Sequence, residues 1–230
     1  VLGEATAVTE TDPTFSGVIS STDQCSTGVV KVTLAELQDS AFDIDSWLRD
    51  AFGKRYWRGV SSMITSGSST GNVQALTSGV PVVAGVAGAT LEIPYANLIA
   101  LYGALDPAYE STASWLMNST TRAGMMGVLD GFGRPLFIPS PNVGAFDTLL
   151  GRPVVLNQFL PNVTANSKPL MFGDFKQGYT FRTVGDLQVI RLNERYIDTG
   201  EIGFIGFARI GGFTTDAGTH PLQILQVAAS

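Results

Sequence analysis

Residues 43–64 read DIDSWLRDAFGKRYWRGVSSMI, and the fold follows from how this stretch is read. Ile44, Trp47, Leu48, Ala51, Phe52, Tyr56, Val60, Met63 and Ile64 recur at three- and four-residue spacing, which stacks side chains on one helical face. The spacing predicts an amphipathic helix of about six turns over residues 40–64, with Trp47 in the core. Asp43, Asp50, Lys54, Arg58 and Ser61 occupy the opposite face, and Asp50 precedes Lys54 in the favourable acid-first, four-apart order. Ser40 with Asp43, and Thr33 with Glu36 one turn earlier, match the S/T-x-x-D/E pattern of a helix start. Ordering the backbone costs about 1–2 kcal/mol per residue, so such a helix cannot stand alone. It must lie along an apolar surface, most simply a sheet supplied later in the chain.

Working outward, 230 residues suffice for one large domain or two modest ones, and two lobes are expected. Only 15% of residues are charged, against about 25% in ordinary soluble domains. With 26 glycines, that composition fits either a surface covered by other subunits or a monomer with a quiet surface. The net charge is −6 and no basic run exceeds Lys54-Arg55, which excludes the electrostatic footprint of a sequence-specific DNA reader. A single cysteine, Cys25, excludes an internal disulfide framework and a cysteine zinc cluster, and fits a reducing compartment. The longest apolar run, residues 80–91, is interrupted by Pro81, Gly85 and Gly88 and is too short to span a bilayer. No secretory signal is visible. Because the chain begins with Val1, an N-terminal portion is expected to precede this core fragment.

In chain order, residues 1–22 are rich in Thr, Ser and Val and read as an extended arm whose partner strand lies outside the sequence. Residues 29–33 form a short strand leading into the helices. Ser66, Gly67, Ser68, Ser69, Thr70, Gly71 and Asn72 read as a connector. Residues 94–101 have helical spacing, and Asp106-Pro107 reads as a helix cap followed by proline at the first position. A strand is expected at 113–117, a helix capped by Asn118 running to about Leu129, and strands at 135–138 and 152–156. The last sixty residues read mainly as sheet: 179–184, a Gly185-Asp186 turn, 187–192, 201–210 and 222–227. Helices and strands mix without a βαβ rhythm, which favours α+β.

Several stretches together resemble the major capsid proteins of tailed bacteriophages of the Hong Kong 97 type. They are Leu37-Gln38-Asp39-Ser40, Ser114-Trp115-Leu116-Met117-Asn118, Asp130-Gly131-Phe132-Gly133-Arg134, Leu149-Leu150-Gly151-Arg152-Pro153-Val154-Val155, and Gly173-Asp174-Phe175 with Tyr179 four residues on. The resemblance implies a phage or prophage shell subunit, in the virion and, during assembly, in the host cytoplasm. Its peripheral lobe would be a spine helix on a β-sheet (29–84 and 173–212). A mixed α+β axial lobe would comprise 85–172 and 213–230, and residues 1–28 would form the second strand of an extended loop. Copies would assemble into pentamers and hexamers around double-stranded DNA, with portal, scaffold or protease as further partners and no membrane. Neither enzyme activity nor a cofactor is implied. The isopeptide cross-link of some members lacks support, since residues 1–30 contain no lysine. Within this reading Asp50, Lys54 and Arg58 are the candidate subunit contacts, with simple solvation the alternative. An encapsulin-type nanocompartment shell is the runner-up.

A rival of another class is a serine hydrolase. Gly67-Ser68-Ser69-Thr70-Gly71 fits G-x-S-x-G, and Asp198 or Asp216 and then His220 follow in the order of such enzymes. That elbow, however, needs a strand before Ser69 and a helix after it, where here a helix precedes and none follows. His220, the one histidine, reads as a strand-edge residue and Cys25 as a spectator. Asp43 and Asp45 begin like a calcium loop, but Trp47 occupies the third ligand position, so they read as helix N-terminal acids. Gly203-Phe204-Ile205-Gly206 reads as strand rather than a dinucleotide loop. Asn118-Ser119-Thr120 and Asn162-Val163-Thr164 match the glycosylation pattern but carry little meaning without a secretory signal.

Overall fold

The computed structural model describes residues 21–39, 43–85, 93–128, 135, 137, 147–216 and 218–229. The arm at 1–20, the Gly131-Phe132-Gly133 turn and, but for Pro135 and Phe137, the strand at 135–138 lie outside the described residues. The first strand, β1 (Asp23–Thr33), is longer than the 29–33 expected. Thr33 ends it by accepting the Glu36 backbone N–H on its hydroxyl at 3.2 Å, which starts α1 (Leu34–Asp39). The long helix α2 (Ile44–Ser66) is capped by Asp43, whose carboxylate accepts the Ser46 backbone N–H at 3.3 Å and the Ser46 hydroxyl at 2.5 Å, and the start expected at Ser40 lies outside the described residues. Ile44, Leu48, Phe52 and Val60 are buried, and Tyr56, Met63 and Ile64 are half-buried.

Trp47 departs from expectation: 61% of it is exposed. At about 100° per residue it stands one heptad before Lys54, roughly 20° from it, and so belongs to the polar face despite its three-residue spacing from Ile44.

Next come β2 (Val82–Ala84), α3 (Tyr95–Gly103), α4 (Pro107–Glu110), β3 (Ser114–Met117) and α5 (Ser119–Met126). Asp106 caps α4 through the Ala108 N–H (2.8 Å), and Asn118 caps α5 through the Thr121 N–H (2.6 Å). Then β4 (Thr148–Leu149) and β5 (Arg152–Leu156) form a hairpin whose two central residues, Leu150 and Gly151, have φ of 50° and 75°. Positive φ at both positions matches the right-handed twist of the paired strands. The chain ends in β6 (Leu170–Gly173), α6 (Phe175–Gly178), β7 (Tyr179–Leu192), β8 (Glu201–Thr214) and β9 (Leu222–Gln226).

Two sheets result. The first is antiparallel, in the order β1-β8-β7, and carries α2 on one face. The second is mixed, β2-β9-β6-β3-β5-β4, with β2 parallel to β9 and β3 parallel to β5. The expected turn at Gly185-Asp186 is instead a bulge inside β7, between Val184 and Gln188. Gly185 takes φ of 73° there, so the strand absorbs extra residues and continues beside β8.

Three of the stretches that carry the resemblance, those at Ser114–Asn118, Leu149–Val155 and Gly173–Phe175, meet at the second sheet, while Asp130–Arg134 lies outside the described residues. Trp115 stacks on Phe172 with ring centroids 4.2 Å apart and donates its indole N–H to the Leu149 carbonyl at 2.9 Å. Gly173, next to Phe172, has φ of 146°, and a Cβ there would sit 2.2 Å from the Pro221 carbonyl oxygen. Buried Asp174 caps α6 through the Lys176 N–H (2.9 Å) and accepts the Thr112 hydroxyl (2.6 Å). These residues are one packing unit rather than separate motifs.

Candidate interaction surface

The outward face of α2 brings Trp47, Asp50, Lys54, Trp57, Arg58 and Ser61 together within about 60° either side of Lys54, by the helical repeat. Trp57 is 58% exposed. Lys54 and Asp50 pair at 2.7 Å, both open to solvent, where such a pair adds little to folding stability. Toward its C-terminus the face continues into a groove of about 670 Å³, where Trp57, Arg58 and Ile64 of α2 meet Leu116, Val155, Leu156 and Phe159. Val155 and Leu156, on β5, are 41% and 45% exposed. Scattered apolar side chains on a surface are ordinary, and large ones gathered along a helix and an adjoining strand make this face the candidate surface.

The hydrolase residues are arranged otherwise. Ser69 is exposed in a turn after α2, and the chain that follows it through Val80 contains no helix. Its neighbours tie down β1: Thr70 and Asn72 donate to the Asp23 carboxylate at 2.5 Å and 2.7 Å. Hydrogen bonds from Ser68, Thr70 and Asn72 hold the Asp23 carboxyl below its ordinary value. His220 pairs instead with Asp216 (Nδ1 to Oδ2, 2.5 Å), and no hydrogen bond joins it to Ser69. Burial works against the Asp216 charge, yet hydrogen bonds from the His220 side chain and from the His220 and Gly218 backbones lower its pKa overall. The two halves of the supposed triad therefore serve two different loops. The Cys25 thiol lies 3.5 Å from the Met63 sulfur, and burial, then the Asp23 charge, push its pKa up, away from a reactive thiolate. Asn118 is buried as a cap, donating to Leu160 and Asn162, so its sequon offers no free amide. Among the described residues no three or more histidine, cysteine, aspartate or glutamate side chains gather to hold a metal, and no helix is long and apolar enough to cross a membrane.

A family model described as the phage capsid family matches residues 1–219. The chain belongs to the phage capsid family. It is a structural capsid subunit, with the Hong Kong 97-like α+β fold of a long helix on a sheet beside a mixed second sheet. Among solved structures it is similar to the capsid of an empty GTA particle, at 27% identity and a TM-score of 0.76, covering 90% of this chain and 73% of that one. A Microbacterium phage Oxtober96 structure matches at 16% identity and TM-score 0.66, over 91% of this chain and 73% of that one. The SrpI encapsulin complex of Synechococcus elongatus PCC 7942 matches at 17% identity and TM-score 0.63, over 90% and 74%. No curated protein matches the chain. For a capsid subunit, surface shape and chemistry carry the function, and here the sequence reading was incomplete. It named Asp50, Lys54 and Arg58, which are on the exposed face, but counted Trp47 with the core. It left out Val155 and Leu156, which come to α2 only through tertiary packing. Reading positions by helical angle rather than residue type would have put Trp47 on the outer face.

Proposed function

We propose that this capsid subunit assembles with copies of itself through the outer face of α2, with Asp50, Lys54 and Arg58 supplying polar contacts and Trp47 and Trp57 the apolar ones. The observation that carries this reading is the pair of exposed tryptophans on an otherwise polar helix face that runs into an apolar groove. Interface centres favour Trp and Arg, and a charged pair at their edge adds orientation more than affinity. In this reading the peripheral lobe is 29–84 with 173–212, the axial lobe 85–172 with 213–230, and residues 1–28 the second strand of an extended loop lying on a neighbour. Pentamers and hexamers of the subunit close into an icosahedral shell around double-stranded DNA. The net charge of −6 suits packaging without sequence-specific binding. A portal, scaffold or protease is a further partner of the shell during assembly in the host cytoplasm, and the subunit catalyses no reaction. The test is assembly of a Trp47→Ser, Trp57→Ser variant alongside the unaltered protein. Loss of rings and shells with an intact subunit fold supports the reading, and normal shells remove it.

A further inference from the structure

Between α2 and β1 lies a cleft of about 390 Å³, and each of its two walls carries a glycine. On β1 the wall is the bulge at Thr27 and Gly28, where the register against β8 shifts between Ser26 and Val29. Gly28 takes φ of 79°, which glycine adopts at little steric cost, and the Thr27 hydroxyl is taken up by the Gly206 backbone N–H at 2.9 Å. On α2 the wall is Gly59. Its φ lies outside the left-handed region and a Cβ there would meet no atom within 4 Å, so neither conformation nor packing demands glycine. Glycine inside a helix costs about 1 kcal/mol relative to alanine, and its effect here is to leave the cleft open.

The chemistry of the walls is uneven. Tyr56, Val60 and Met63 of α2 and Cys25 of β1 make the body apolar and rich in polarizable sulfur, which packs well against aromatic rings. The polar groups are donors. Arg55 lines the cleft, is exposed, and has no ion-pair partner among the described residues. The half-buried Tyr56 hydroxyl makes no hydrogen bond among the described residues. Burial, and then the charges of Cys25 and Asp186, hold it above its ordinary value, so it remains a neutral donor. The Ser26 oxygen accepts the Gly28 N–H at 3.2 Å and keeps its own O–H to donate. No carboxylate belongs to the lining, although the chain carries a net charge of −6, and Asp186 lies outside it on β7. Ligand pockets are built this way, mostly apolar with a few convergent polar groups.

We infer that this cleft binds a small organic acid, its ring-bearing body against Tyr56, Val60 and Met63 and its carboxylate toward Arg55 and the hydroxyls of Tyr56 and Ser26. A dry cavity of about 150 Å³ holds one benzene, so a cleft of about 390 Å³ takes a body of about two fused rings. By the helical repeat Gly59 lies about 140° from Lys54, so the site is off the outer face of α2 and does not depend on that face being a contact.

The test is calorimetric titration of the protein with naphthoate, an acid of that size. Saturable binding is expected below about 1 mM. Gly59→Leu, which fills the cleft, should weaken it by more than about tenfold, and circular dichroism confirms that the variant is folded. Arg55→Gln should weaken it about tenfold, the loss of one charge-assisted hydrogen bond, and Arg55→Lys, which keeps the charge, should recover most of the affinity. Absence of saturable binding overturns the inference, as does affinity that a folded Gly59→Leu variant retains. Equal affinity in Arg55→Gln removes the assigned acid end and with it the ligand class.

Discussion

Replacing Trp57 with serine separates folding from assembly, because the side chain contributes to them unequally. A tryptophan can bury about 150–250 Å², and 58% exposure leaves roughly 90–145 Å² of it open in the isolated subunit. If a neighbouring copy covers that area, about 25 cal/mol per Å² gives roughly 2–4 kcal/mol per contact. Folding loses less, since the other 42% of the side chain, already covered in the subunit, is roughly 60–105 Å², about 1.5–2.5 kcal/mol at the same coefficient. Lost contact energy of this size raises the concentration needed for assembly roughly 30- to 900-fold. Light scattering and sedimentation across a concentration series measure that threshold, and thermal melting of the unassembled subunit measures the fold. The reasoning is refuted if Trp57→Ser lowers the melting temperature of the subunit substantially while the assembly threshold stays where it was.

Other substitutions test the interior. Gly173→Ala puts a Cβ 2.2 Å from the Pro221 carbonyl oxygen at φ of 146°, and should cost about 3–5 kcal/mol in denaturant unfolding, from strain and overpacking together. Gly53→Ala places a methyl within α2 where nothing lies within 4 Å, and should stabilise the subunit by about 0.5–1 kcal/mol in the same assay. Phe52→Ala empties a site that is 2% exposed, and about 3–5 kcal/mol should be lost on denaturant unfolding. Hydrogen bonds lower the Asp23 carboxyl in the folded state, so its contribution is present above the ordinary aspartate value near about 3.9 and is lost as pH falls through the lower folded value. An acid titration of Asp23→Asn should show a shallower fall in stability over that window than the unaltered chain.

The long helix was legible because its core face repeats at three and four residues. Its start was placed at Ser40, whereas it begins at Ile44 with Asp43 as its cap, because Asp43 reaches the Ser46 N–H. The caps at Asp106 and Asn118 and the strand 152–156 were legible for the same local reasons. Trp47 was misread because residue type was weighed before angle. At Gly185-Asp186 a bulge and a tight turn need the same positive φ, and only pairing with β8, remote in sequence, decides between them. Strand β6 was missed because Leu170, Met171, Phe172 and Gly173 are all buried, which leaves no alternation to detect. Of the candidate surface, the charges on α2 were visible in the sequence. The groove was not, since Leu116, Val155 and Phe159 reach Trp57 only once the second sheet is formed.

The most direct measurement is electron cryomicroscopy of the particles that this protein forms on expression. The account predicts closed shells, or rings of five and six, in which Trp47 and Trp57 are covered by a neighbouring subunit. Well-folded subunits that form neither rings nor shells, or shells that leave both tryptophans open to solvent, would contradict it.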